Sequence, residues 1–174
     1  RTLVATIAAP AAIEALVARG VKPGDAVEVE IGGRVDPSAG DPVRIAGKVL
    51  LVAGATTARM KGTGQSWIAI RFGQGNVVLL SPFLVQIMEP EDLWATGLRA
   101  ADYDVIAIKS RVHFRRGFDD SGFAPTILLV EPDEPFLGTV WRAGGSLRGL
   151  TARRTLSGCA RPACAFRRRP SGLR

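Results

Sequence analysis

Residues Ala26 to Ile31 alternate strictly: Val27, Val29 and Ile31 fall on one side, Glu28 and Glu30 on the other. Only a strand places every second side chain on the same face, so this segment predicts a half-buried β-strand. Similar reasoning predicts short strands over Thr2 to Ile7, Trp67 to Phe72, Val77 to Leu80 and Leu84 to Met88. A longer strand spans Val43 to Val52, with Gly47 as a candidate bulge. Pro10 suits the first turn of a helix whose apolar face is Ile13, Leu16 and Val17, and Gly20 suits its stop. Turn-forming clusters separate these elements: Lys22-Pro23-Gly24-Asp25, the Gly32 to Pro42 loop, and Gln74-Gly75-Asn76. Between Ala26 and Met88 the pattern is that of an antiparallel meander.

The pattern changes after Met88. Pro90 to Gly97 predicts a short helix, and Asp104 to Ile108 a buried strand. Ser110 is placed to cap a following helix with Val112, Phe114 and Phe118 on its apolar side, and Thr126 to Val130 predicts a second buried strand. A strand–helix–strand unit usually pairs its strands in parallel. The expected fold class is therefore mixed α/β (α+β): an antiparallel β-meander packed with a small strand–helix–strand unit, occupying residues 1–140.

From Trp141 onward the periodicity ends, and the charge follows the same boundary. The whole chain carries +7. Residues 1–140 hold fourteen Lys and Arg against all sixteen Asp and Glu, a net −2, while residues 141–174 hold nine Arg and no acid, a net +9. The basic character thus belongs to the tail. A nucleic-acid-binding body would carry its own basic stripe, so the reading is of no nucleic-acid partner. The tail itself is expected to be disordered. Apolar runs such as Val49 to Ala53 are far too short to span a bilayer, so no membrane role is expected. The start of the chain shows no secretory signal pattern, and a cytoplasmic location is the expectation. Cys159 and Cys164, in the tail, form one C-x4-C pair without a second pair or a nearby His, which is a poor zinc pattern.

His113 is the only histidine. Zinc hydrolase sites draw on several His and carboxylate ligands, so this chain is expected to hold no metal and to supply no catalytic residue of its own. The segment Lys109-Ser110-Arg111-Val112-His113-Phe114-Arg115 follows a predicted strand and opens a predicted helix. That location favours ligands in α/β sheets, and exposed N–H groups at a helix start favour anions. Lys109, Ser110, Arg111 and His113 are accordingly the candidate substrate-contacting residues. The competing reading is that Ser110 merely caps, the charges are solvated and His113 is half-buried packing on a helix. Gly62-Thr63-Gly64-Gln65 precedes a strand rather than a helix, so it reads as a turn and not a phosphate loop. Asp36 with Asp41, and Asp119 with Asp120, read as solvated loop carboxylates. No G-x-S-x-G elbow occurs.

Four segments together carry a family resemblance: Val27 to Pro37 (VEVEIGGRVDP), Gly62 to Trp67 (GTGQSW), Leu80 to Gln86 (LSPFLVQ) and Ile108 to Arg115 (IKSRVHFR). In this order the chain resembles the C-terminal domain of the microcystinase C (MlrC) family of zinc metallopeptidases over residues 1–140. The resemblance implies a partner, the N-terminal zinc-binding domain that carries the metal ligands and catalytic carboxylate in that family. It also implies a peptide-like substrate for the whole enzyme, a linearised cyclic toxin in the named case. Zinc would then be a cofactor of the parent enzyme, and this chain, without that domain, would be inactive alone. Beyond Val140 the family-like pattern stops, and residues 141–174 have the composition expected of a shifted reading frame. The alternative is a stand-alone ligand-binding or interaction module using Lys109 to Arg115, and a third is a binder of nucleic acid or membrane surfaces acting through the tail.

Overall fold

Val77 to Leu80 are all buried because their strand runs through the middle of a six-stranded sheet. A computed structural model describes residues 1–34, 40–54, 65–110 and 112–130, together with the backbone of 153–154. In chain order its elements are β1 (Thr2–Ala8), α1 (Pro10–Ala18), β2 (Ala26–Ile31), β3 (Val43–Gly54), β4 (Ser66–Phe72), β5 (Asn76–Ser81), β6 (Val105–Ala107) and β7 (Leu128–Leu129). Between β5 and β6 lie two 3-10 segments, Pro90–Thr96 and Ala100–Asp102, and between β6 and β7 a π-helix, Arg115–Asp120. Strands β2, β3, β4 and β5 form the antiparallel meander read from the sequence. β1 then lies between β5 and β6 and is parallel to both, so the sheet is mixed, in the order β2-β3-β4-β5-β1-β6.

The central strands are apolar on both faces because both faces are covered. On one, Ile68, Ile70, Val78 and Leu80 pack with Ile13 and Leu16 of α1. On the other, Trp67, Ala69, Val77 and Leu79 pack with Ile87, Leu93, Phe114 and Phe118. Each aromatic buried there contributes about 1.5–3 kcal/mol of transfer free energy. Trp67 and Phe83 add an edge-to-face contact, with ring centroids 5.9 Å apart. β2 keeps its predicted polarity: Val27 and Ile31 are buried, Glu28 is exposed, and Arg44 on the neighbouring strand pairs with Glu28.

Several expectations are corrected. Val17 is 47% exposed, so the buried face of α1 is Ile13 and Leu16 alone. The register shift in β3 falls between Val49 and Leu51, not at Gly47. Gly47 is needed for a different reason: a Cβ there would press into the Arg71 carbonyl oxygen of β4. Leu84 to Met88 joins no ladder and runs as a strap held to β1 by the Thr6–Val85 hydrogen bond, with Ile87 buried in the core. Asp104 to Ile108 is not an interior strand. Only Val105–Ala107 pair, with β1 alone, and Val105 is 55% exposed, because an edge strand packs one side only. Thr126 to Val130 does not return to the sheet in parallel. β7 pairs antiparallel with Arg153–Arg154 (β8) in a separate two-stranded piece. The rest of the expected disordered tail, the Gly62 to Gly64 turn, Asp36 and Arg111 lie outside the described residues. Among the described residues no helix is long and apolar enough to cross a membrane.

Candidate functional site

The three parallel strands end on the same side of the sheet, and the segments leaving β5 and β6 converge there. The strap that follows β5 is anchored at two points. The Thr6 hydroxyl of β1 donates to the Val85 carbonyl at 2.9 Å. Asp92 accepts from the Met88 and Glu89 backbone N–H groups at 2.8 and 3.2 Å, as half of a capping box with Glu89 at the head of the Pro90–Thr96 turn. The segment that follows β6 contains Lys109, Ser110 and His113. It ends in Phe114, whose buried ring fixes the start of the π-helix.

Ser110 does not cap a helix. Its Oγ accepts from the Phe114 N–H at 3.3 Å and closes a turn, while the helix begins at Arg115 with no side-chain cap. The run of free N–H groups expected at Ser110 is therefore not built. Val112, expected on the apolar side, is 59% exposed. His113 is exposed rather than half-buried packing, and its Nδ1 lies 2.9 Å from Gln86 Oε1 on the strap. Lys109 is exposed on the same segment.

Between the strap and the π-helix lies a cleft of about 410 Å³ lined by Met88, Glu89, Val112, His113, Arg115, Arg116, Gly117 and Asp120. Its two walls touch at Gly117, where a Cβ would crowd the Met88 carbonyl oxygen and come within 2.6 and 2.7 Å of Glu89 Cα and Cβ. Single π-helical turns are frequent at functional sites because they shift side chains out of the regular helical row. Arg115 is occupied: it pairs with Asp119 at 3.1 Å and lies over the Phe114 ring, 5.4 Å from its centroid. Arg116 is exposed, and no ion pair joins it among the described residues. The cleft thus offers an imidazole, a guanidinium and the Asp120 carboxylate to one ligand.

Of the four residues read from the sequence, His113 lies on the cleft wall, Lys109 and Ser110 are not among the residues lining it, and Arg111 lies outside the described residues. Gln86, Glu89, Arg116, Gly117 and Asp120 were missed. Gln86 and Glu89 lie more than twenty residues away in sequence, and no local spacing links them to His113. His113, Arg116, Gly117 and Asp120, spaced three or four residues apart, are what a helical reading of the segment could have placed together.

Among the described residues no group of three or more His, Cys, Asp or Glu is placed to hold a metal ion. The cleft residues Glu89, His113 and Asp120 do not form such a group. No curated protein matches the chain. The family model described as the MlrC C-terminus matches residues 1–131, the whole six-stranded sheet together with the strap, the cleft and β7. The chain belongs to the MlrC C-terminal domain family.

Proposed function

We propose that this chain serves as the C-terminal domain of a zinc-dependent metallopeptidase-like hydrolase of the microcystinase C type. In this reading the zinc and its ligands belong to a separate N-terminal domain, the chain alone is catalytically inactive, and the substrate is peptide-like. His113, together with Lys109, Ser110 and Arg111 of the same segment, meets that substrate where the two domains join. The assembly is cytoplasmic, with no nucleic-acid or membrane partner. Family membership supports the domain role. The observation that carries the site is the cleft between the segment after β5 and the π-helix after β6, with His113 exposed on its wall.

The test is an enzyme rebuilt by joining this chain to the zinc domain of a family relative. His113→Ala should lower peptide turnover about 10–1000-fold, the span of a lost acid–base or electrostatic group, with zinc content unchanged. Unchanged turnover at unchanged stability would remove His113 from the site. The second reading is a stand-alone binding module that uses the Lys109 to Arg115 segment, of which Val112, His113 and Arg115 line the cleft. Ligand capture by the chain alone, undisturbed by adding the zinc domain, would support that reading instead.

A further inference from the structure

The geometry points to Gln86 as a positioning residue that sets which nitrogen of His113 carries the proton, and so makes His113 an acceptor in the cleft. This inference rests on the reading of His113 as the substrate-contacting group and specifies what it offers. The Gln86 amide oxygen faces Nδ1 at 2.9 Å. A carbonyl oxygen only accepts, so Nδ1 carries the hydrogen and donates it. In a neutral imidazole the other nitrogen, Nε2, is then left with a free lone pair. Free histidine in water favours the opposite arrangement, with the proton on Nε2, so the contact works against the intrinsic preference.

Both side chains are exposed, yet neither backbone is free to drift. Gln86 lies between Val85, whose carbonyl is held by Thr6, and Ile87, which is 1% exposed in the core. His113 is followed by Phe114, 4% exposed, whose N–H is held by Ser110. Two surface groups are thus presented to each other by buried neighbours on separate segments. That arrangement lowers the conformational entropy lost on making the bond. The chemical consequence concerns the ligand. A nitrogen with a free lone pair takes a hydrogen from a donor, such as a peptide N–H or a water molecule, and does not donate to a carboxylate or an oxyanion. Contact with an anionic group falls to the cations beside it, Arg116 being the one that no ion pair occupies among the described residues.

One histidine in the chain makes the test direct. Two-bond proton–nitrogen correlation spectra of the full 174-residue chain, in alkaline buffer where imidazole side chains are neutral, distinguish the two tautomers. The wild-type spectrum should show Nδ1 protonated. Gln86→Ala should restore the Nε2–H form of free histidine, and Gln86→Glu, whose carboxylate still accepts, should retain Nδ1–H. Wild-type protein in the Nε2–H form, or a Gln86→Ala spectrum unchanged from wild type, overturns the assignment. In the rebuilt enzyme, Gln86→Ala should reduce kcat about 2–10-fold, the range of one lost neutral hydrogen bond, with rescue by Gln86→Glu. A predicted tautomer combined with a silent His113→Ala would remove the substrate role and leave the Gln86 contact standing. A strong His113→Ala effect with the wrong tautomer would do the reverse.

Discussion

Gly117→Ala probes the junction of the two cleft walls and sets two opposing effects against each other. Alanine is the better helix former, and relief of glycine's backbone entropy favours the variant by roughly 0.5–1 kcal/mol. Against this, the new methyl group meets the Met88 carbonyl oxygen and Glu89 Cα and Cβ, all closer than 3.0 Å. None of these atoms is the flexible end of a side chain. The strap cannot retreat freely either, because the Met88 and Glu89 N–H groups are both held by the buried Asp92. Overpacking of this kind costs about 1–3 kcal/mol, and three rigid neighbours place it near the top of that range. The clash wins, and the net loss is about 2 kcal/mol, or about 6 °C in melting temperature for a domain of this size. Chemical denaturation followed by tryptophan fluorescence measures it, with Gly54→Ala as the control. A Cβ at Gly54 meets nothing within 4 Å, so that variant should stay within about 0.5 kcal/mol of wild type. A Gly117→Ala protein as stable as wild type or more so would refute the close contact between the π-helix and the strap.

Tyr103 is the only tyrosine, and burial, aided by the Asp102 carboxylate and opposed by Arg71 and Arg1, pushes its phenol above the ordinary 10.0. A group with a raised folded-state pKa keeps its stabilising contribution below the unfolded value and loses it as pH rises through the folded one. The Tyr103 contribution should therefore be lost only above about pH 10, and an ultraviolet titration of native protein should reach its midpoint later than that of the denatured chain; a native midpoint at or below the denatured one contradicts this. Removing residues 141–174 deletes Arg153–Arg154 from a two-stranded piece outside the main sheet, so the melting temperature should drop by no more than about 4 °C. A larger drop in a thermal scan would show that the tail contributes to the body.

By itself the sequence determined the elements whose pattern is local. The alternation of Ala26 to Ile31, the apolar runs at Trp67 to Phe72 and Val77 to Leu80, and Pro10 at a helix start are consequences of period and backbone chemistry, and each forms as read. Four segments in order also sufficed to place the chain in its family. What the tertiary structure alone decided is how far each apolar run is buried and which distant segments meet. Asp104 to Ile108 and Val77 to Leu80 both read as apolar strands, yet one is an edge and the other the centre, because β1 takes the place beside β5 and leaves β6 outermost. Leu84 to Met88 has the composition of a strand but finds no ladder partner, and it becomes the strap. The cleft follows from that outcome. His113 and Gln86 stand 27 residues apart, and nothing in their spacing joins them. They face each other because the chain leaves β5 and β6 on the same side of the sheet, one on each flank of β1, and buried residues next to each fix where the chain goes afterwards.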